Sequence, residues 1–481
     1  MNQPDAAIPT IHPSIDRPGR PHDRFVPLLE AQGYRPIGRL APRAARAIDD
    51  SPWSIGCETC DRGYVDFDQV GPHLGEIGAK AVRLQAGWAR CEPRADGVYD
   101  WAWLDKIVDA CVMQRVRPWL EVGYGNPAYP DGGGIGLAMG IPTGDRAITA
   151  WDAWVAALVK RYADRVDTWS IWNEPDHGPD LDAVTYADFY ARTARIIRAA
   201  QPGATLMGLS LAGANAYAEA FLRRLDERGE ADLLQRLVYH FYPHNPDASF
   251  DRVDGLRDLL QRYAPHAEVY QGETGAPSQT TAFLAMRQHE WSERKQAVWN
   301  LRRLLAHHAR GIAMNLFQLA DMHYEKRDGA LHQGHNTKGQ LATRPDLTVL
   351  HRKASFAMAQ HVFSTIDGRY PLTALEPLHD RDNKTTGRVP WQQYAWTPHG
   401  GERPDLVSWW NASDAPTLTT YGLWRVAGLA PVPFANPVLL DWLSGTAFEP
   451  PRTGAALWRE LPLSDAPFAL IERESLPLQQ D

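Results

Sequence analysis

Asp167-Thr168-Trp169-Ser170-Ile171-Trp172-Asn173-Glu174-Pro175-Asp176 is the stretch on which the fold of this chain turns. Its aromatic and β-branched residues predict a short buried strand, and the Asn-Glu-Pro triplet predicts an abrupt end to it. Pro175 fixes its own φ and biases Glu174 towards an extended backbone. A carboxylate is therefore expected at the strand's C-terminal end, with the Asn173 amide beside it. Taken alone, an acid at such a place is most often simply solvated.

A second stretch, Glu268-Val269-Tyr270-Gln271-Gly272-Glu273-Thr274-Gly275-Ala276-Pro277, repeats the pattern. Again a short strand ends in an acid, here between glycines that let the backbone pass close to a ligand. Two acids at two strand ends suit glycoside hydrolysis, where one protonates the leaving oxygen and the other attacks the anomeric carbon or activates water. Asn173-Glu174-Pro175 followed by Gly272-Glu273 resembles clan A, the retaining glycoside hydrolases built on a (β/α)8 barrel. Within it the chain looks most similar to family 39, which includes β-xylosidases and bacterial exopolysaccharide hydrolases. The resemblance implies that Glu174, on the fourth barrel strand, is the acid/base and that Glu273, ending the seventh, is the nucleophile.

The strand count fits. Short apolar runs alternate with helical patterns from about residue 53, the signature of βαβ units and a parallel sheet. Strands are expected at Trp53 to Cys57, Ala79 to Gln85, Arg117 to Val122, at the opening stretch, and at Thr205 to Ser210, Leu237 to Phe241, Val269 to Glu273 and Ile312 to Phe317. Helices are expected after Asp100, across Trp151 to Tyr162, at Leu256 to Tyr263, and as an amphipathic run from Gln296 to His308. This is an α/β chain with a TIM barrel over 51–345, a fold whose active sites lie at the C-terminal strand ends. Residues 1–50, rich in Pro and Arg, are expected to form an arm packing on another domain. Over 346–481 a last barrel helix, near Thr348 to Val362, is expected to precede short strands separated by turns, which suggest a β-sandwich.

Other strand ends supply candidate sugar ligands. The second strand ends as Arg83-Leu84-Gln85-Ala86-Gly87-Trp88, where Arg83 could hold the nucleophile ionised and Trp88 could face the sugar. Tyr124 and Asn126 follow the third strand and open a long, Gly-rich loop running to Asp145, expected to shape the substrate site. His240 and Tyr242 follow the sixth on one face by period-two alternation. The resemblance implies that both line the cleavage subsite, with Tyr242 near the nucleophile, and Asn173 is expected to meet the sugar 2-hydroxyl. The clan's eighth strand ends in a tryptophan under the sugar; here Phe317 or Gln318 stands in its place. The Asp321-to-Lys326 loop beyond is polar enough to recognise a charged or branched sugar.

Composition narrows the partners. The 481-residue chain has 44% hydrophobic and 22% charged residues and a formal net charge of -8, enough for a large core but without the basic footprint of a nucleic-acid or anionic-membrane binder. The N-terminal residues show no signal peptide, which predicts a cytoplasmic protein, or a periplasmic or secreted one had a leader been removed. The four cysteines, including Cys57-Glu58-Thr59-Cys60, lack a second CxxC or a His pair at zinc spacing and are expected to be structural thiols. No metal or organic cofactor is implied, and the expected partner is an oligo- or polysaccharide. The long loop favours exo action on short glycans, as in a β-xylosidase. Endo action on a bacterial exopolysaccharide is the alternative; a catalytically inactive glycan-binding barrel would not need both acids.

Overall fold

The computed structural model describes residues 29–31, 33–178, 181–213, 215–281, 284–324, 334–373, 375, 391–416, 424–426, 434–450 and 461–479. The first to eighth barrel strands are Trp53–Gly56, Ala81–Gln85, Arg117–Val122, Thr168–Ile171, Thr205–Leu211, Arg236–Tyr239, Glu268–Thr274 and Met314–Leu316. All neighbours are parallel, and the eighth closes on the first through Trp53 opposite Met314. Helices cover the outside, so the strands are buried on both faces and read as apolar runs rather than alternations. The helix Asp145–Tyr162 buries the expected stripe of Trp151, Trp154, Val155, Leu158, Val159 and Tyr162. Its two indoles are packing groups. Asp182 caps Ala183–Ala200 by accepting from the amides of Val184 and Thr185, and Ser292 caps Glu293–Ala309 through Lys295 N.

Two helices differ from expectation. Glu293–Ala309 is not amphipathic in place: nearly every residue is buried, including Arg294, Arg302, Arg303, His307 and His308. The barrel takes one side and the C-terminal sheet the other, where Trp396 Nε1 donates to His308 Nδ1 at 2.9 Å and Arg294 Nη2 to Asp465 Oδ1 at 3.1 Å. The last helix begins only at Ala354, because Val349–Arg352 pairs as a strand with Leu341–Thr343. Its β-branched and aliphatic start suits that ladder better than a first helical turn.

Beyond the barrel lies a seven-stranded antiparallel sheet in the order Trp391–Trp396, Leu406–Asn411, Phe468–Glu472, Pro437–Asp441, Thr446–Glu449, Arg35–Leu40, Leu478–Gln479. The N-terminal segment thus supplies a strand to a C-terminal sheet, with Arg35 opposite Glu449 and Leu40 opposite Leu478. A two-stranded sheet, Trp424–Val426 with Leu461–Leu463, lies against it where Trp409 Nε1 donates to Pro462 O at 2.8 Å. This is the β-sandwich attached to the barrel.

Candidate active site

The fourth strand ends at Ile171, and the chain turns at once: Trp172 has φ 66° and Glu174 φ 47°. This corrects the extended backbone expected before Pro175. Left-handed geometry costs a non-glycine residue about 1–3 kcal/mol and persists where surrounding contacts over-determine it. Here His240 Nδ1 meets Glu174 Oε1 at 3.0 Å, and Glu174 O accepts from His177 N at 3.0 Å. The turn aims the carboxyl inward across the barrel mouth.

Glu273 stands near the end of the seventh strand and faces it. An oxygen of each carboxyl and a ring nitrogen of His240 lie within 4.8 Å of one another. Glu273 Oε1 accepts from Tyr242 Oη at 2.7 Å and Oε2 from Arg83 Nη1 at 2.8 Å, with His240 Nδ1 3.6 Å from Oε2. Burial alone would raise this carboxyl, but the charges of His240 and Arg83 and the Tyr242 hydrogen bond outweigh it and hold it below the ordinary glutamate range. Tyr242 is pushed the other way, by burial and then by Glu273, so its hydroxyl stays a donor.

Arg83 is the hub beneath both acids. Its fully buried guanidinium also donates to Asn173 Oδ1 at 2.7 Å, pairs with Glu121, and lies 3.2 Å from Glu58 Oε1. Glu121 is held in turn by Gln85 Nε2 at 2.7 Å, and Asn173 Nδ2 donates to Tyr124 Oη at 2.8 Å. The amide of Asn173 is thereby oriented from two sides beside Glu174. Burial, opposed by Arg83 and reinforced by Glu273, pushes Glu58 up to about 8.

A cleft of about 960 Å³ opens over this network. Of the expected ligands, Glu174, Glu273, Asn173, Tyr124, His240, Tyr242 and Phe317 line it, with Arg83 directly below. Three do not. Trp88 is fully buried, donating to Glu92 Oε2 at 2.8 Å and packing on Tyr129, Trp151 and Trp154, because the left-handed Gly87 turns the chain away from the mouth. Asn126 holds its own loop, donating to Glu92 O at 2.7 Å and accepting from Ala128 N at 3.0 Å. Gln318 is fully buried outside the cleft lining, whereas Phe317 meets Tyr242 edge-on at 6.5 Å. Phe317 is thus the strand-eight aromatic at the cleft. In the loop after the third strand, added Cβ atoms on Gly125 and Gly132 would meet backbone oxygens at 2.4 and 2.1 Å. Those glycines let it fold on itself and present Gly136 and Leu137 to the cleft.

Several lining residues escaped the sequence reading. Glu58 lies two residues beyond the first strand, and the strand-end rule could have found it, but the flanking CxxC drew the reading towards thiols. Cys57 and Cys60 are free, buried and 4.0 Å apart at sulfur. Lys338 comes from irregular chain beyond the eighth strand, where no local pattern marks it, whereas Tyr324 belongs to the polar loop expected after that strand. Glu174, His240 and Glu273 are together a donor set that could hold a divalent cation as well as serve proton and nucleophile chemistry. A second cavity, of about 470 Å³, opens at the opposite mouth around Trp119 and Tyr270 and contains neither acid.

Known proteins share this architecture. The family model described as Glycosyl hydrolases family 39 matches residues 61–246, a span that includes Glu174 and stops before Glu273. A β-xylosidase from Geobacillus stearothermophilus is 26% identical over 154 residues, 29% of this chain and 31% of the relative, so the match spans about a third of that protein's length. Among solved structures, a family 39 glycoside hydrolase from the gut symbiont Bacteroides cellulosilyticus WH2 superposes with TM-score 0.64 at 18% identity, covering 88% of this chain and 81% of that one. A monomeric β-xylosidase from Caulobacter crescentus CB15 gives TM-score 0.57 at 17% identity, covering 90% and 98%. The resemblance to family 39 drawn from the two acid motifs therefore holds in the family match, and the solved structures share the fold.

Proposed function

We propose that this protein is a retaining glycoside hydrolase acting on β-glycosidic, or stereochemically equivalent α-L-glycosidic, bonds by double displacement. One observation carries the reading: carboxyl oxygens from the fourth and seventh strand ends lie within 4.8 Å of each other. Retaining enzymes separate their carboxyl groups by about 5–5.5 Å, whereas inverting enzymes need about 6.5–9.5 Å to admit a water.

In this reading Glu273 attacks the anomeric carbon as Glu174 protonates the departing oxygen, giving a covalent glycosyl-enzyme. Glu174 then takes a proton from water, which releases the sugar with its configuration retained. Arg83 and Tyr242 keep Glu273 ionised for attack, and Asn173, held by Arg83 and Tyr124, donates to the 2-hydroxyl as oxocarbenium character grows. The substrates are short glycans of the β-xyloside kind, cleaved from one end. The wall that Gly136 and Leu137 add to the cleft supports that choice.

The test is turnover of nitrophenyl β-xyloside, β-glucoside, β-galactoside and α-L-arabinoside by wild type and Glu273→Ala in parallel. Turnover that disappears in the variant is expected, with a first product that keeps the substrate's anomeric configuration by NMR. An α-configured first product from a β-glycoside would overturn the retaining mechanism.

A further inference from the structure

The four cysteines are all free and buried, and they fall into two kinds. Cys91 and Cys111 have no exposed surface; the Cys91 thiol donates to Ala86 O at 3.2 Å, and burial pushes both thiols above their ordinary range. Cys57 and Cys60 are set against each other. Their sulfurs lie 4.0 Å apart across a turn, the Cys60 thiol donates to Cys57 O at 3.6 Å, and Cys60 keeps 5% exposure, the most of the four. Among the described residues the one group of three or more metal-ligating side chains is Glu174, His240 and Glu273, so this CxxC lacks the four ligands of a structural zinc. The chemistry left to two adjacent thiols is oxidation.

The turn between them belongs to the cleft. Cys57 directly follows the first barrel strand, its N–H donating to Arg83 O at 2.9 Å, and Glu58 and Thr59 line the cleft. The Glu58 carboxyl lies 3.2 Å from Arg83 and packs on Gly56, where an added Cβ would meet Oε2 at 2.4 Å. Thr59 is left-handed at φ 68°, which contacts must hold: its N–H donates to Gln85 Oε1 at 3.2 Å and its hydroxyl to Met322 Sδ at 3.1 Å. Bond formation draws the two sulfurs together by about 2 Å, and a turn fitted this closely has no slack to absorb it. We infer that Cys57 and Cys60 are an oxidisable dithiol, which a peroxide entering from the cleft closes to a disulfide, displacing Glu58 and Thr59 and throttling turnover.

The step balances. Cys60 Sγ, as thiolate, attacks one peroxide oxygen; the O–O bond breaks, Cys60 becomes a sulfenic acid, and hydroxide leaves to take up the thiol's proton as water. Cys57 Sγ then attacks that sulfur, the S–S bond forms as the S–O bond breaks, and the hydroxyl leaves with the Cys57 proton as a second water. Two electrons pass from the thiols to the peroxide. Cys57 suits the second part, because its hydrogen bond with Cys60, and then burial, hold it well above the ordinary thiol range. A small dithiol reverses the bond by exchange.

The loss of turnover rests on the proposed function, whereas the disulfide and the displaced turn do not, so the experiment reads all three. Full-length wild type and Cys60→Ser are treated with hydrogen peroxide and then with dithiothreitol. Thiols are counted in denaturant, the linkage is mapped by mass spectrometry, amide exchange is followed over residues 57–62, and nitrophenyl glycosides are assayed. Oxidised wild type is expected to show two free thiols instead of four, a mass lower by two hydrogens, a Cys57–Cys60 link, faster exchange at Thr59 and turnover lower by about tenfold or more, as misplacement within a site produces. Dithiothreitol should restore every value, and Cys60→Ser should keep its turnover under peroxide. Four free thiols after treatment, a link through Cys91 or Cys111, oxidation that dithiothreitol does not reverse, or a Cys57–Cys60 disulfide that leaves Thr59 exchange or existing turnover unchanged would each overturn the inference. A reversible Cys57–Cys60 disulfide with faster Thr59 exchange, but no turnover of any glycoside in either state, would sustain it and count against the hydrolase reading.

Discussion

The two carboxyl groups at the barrel mouth are almost equally sheltered, with Glu174 12% and Glu273 16% exposed at the side chain. Their neighbours differ. Glu273 is surrounded by Arg83, Tyr242 and His240, whereas Glu174 meets His240 at 3.0 Å and the half-exposed His177 at 3.5 Å. Burial therefore cannot be what assigns the two acids different work. The donors differ: His240, Arg83 and Tyr242 hold Glu273 below the ordinary glutamate range, which suits the attacking role proposed for it.

The largest expected effects test that asymmetry directly. Glu273→Ala should cut turnover by about four orders of magnitude or more on every substrate, because no covalent intermediate can form without it. Glu174→Ala should cost about 10²–10⁴-fold on glycosides with poor leaving groups and far less on dinitrophenyl glycosides, which need no protonation to depart. Added azide should restore the Glu174 variant with a β-configured glycosyl azide, and give the α-configured product from the Glu273 variant. Steady-state kinetics and NMR of the azide adducts check both. Matching leaving-group dependence in the two variants would break the comparison.

Removing one donor is a finer cut. Tyr242→Phe takes away a hydrogen bond to the ionised form of Glu273, a contact to a charged group typically worth about 1.5–3 kcal/mol. The Glu273 carboxyl should titrate higher, so the acidic limb of the kcat/KM–pH profile should move up by about one unit or more. Chelation is expected to do less still. If Glu174, His240 and Glu273 work through proton and nucleophile chemistry rather than as cation ligands, dialysis against a chelator should leave turnover within about twofold, and a larger loss restored by a divalent ion would assign the triad to a metal.

Much of this site could be read from the chain because barrel strands announce themselves. Apolar runs located all eight strands, the rule that barrel sites lie at C-terminal strand ends pointed to Glu174, Glu273 and Arg83, and the family resemblance assigned His240 and Tyr242 to the cleft. The errors fall where one residue's backbone angle decides the direction. Gly87 at φ 54° turns Trp88 into the core, and Glu174 takes φ 47° against the preference imposed by Pro175. Spacing carries no information about such angles when packing across the barrel sets them. Lys338 and Glu121 were invisible for another reason: their meaning comes from partners more than thirty residues away, Glu121 reaching Arg83 and Gln85, and Lys338 reaching the face of Tyr242. Glu58 was masked by its own flanks.

Glu58 supplies the smallest effect and the closest probe of how Arg83 is shared. Its carboxyl lies 3.2 Å from the same Arg83 Nη1 that donates to Glu273, and burial holds it up at about 8 from an ordinary 4.5. The folded state therefore binds a proton here that the unfolded chain has already released between those two values, so stability falls as pH rises through that window. Glu58→Gln keeps the shape and cannot ionise. The variant should match wild type near pH 4.5 and melt higher by roughly 1–3 °C at pH 8, followed by circular dichroism at both pH values. It should also retain kcat/KM better on the alkaline side, where an ionised Glu58 in the wild type competes with Glu273 for the guanidinium. A variant that melts below wild type at pH 8 would mean that Glu58 is ionised and paired there. Arg83 would then be divided among three anions, and its hold on Glu273 could no longer be what separates the two acids.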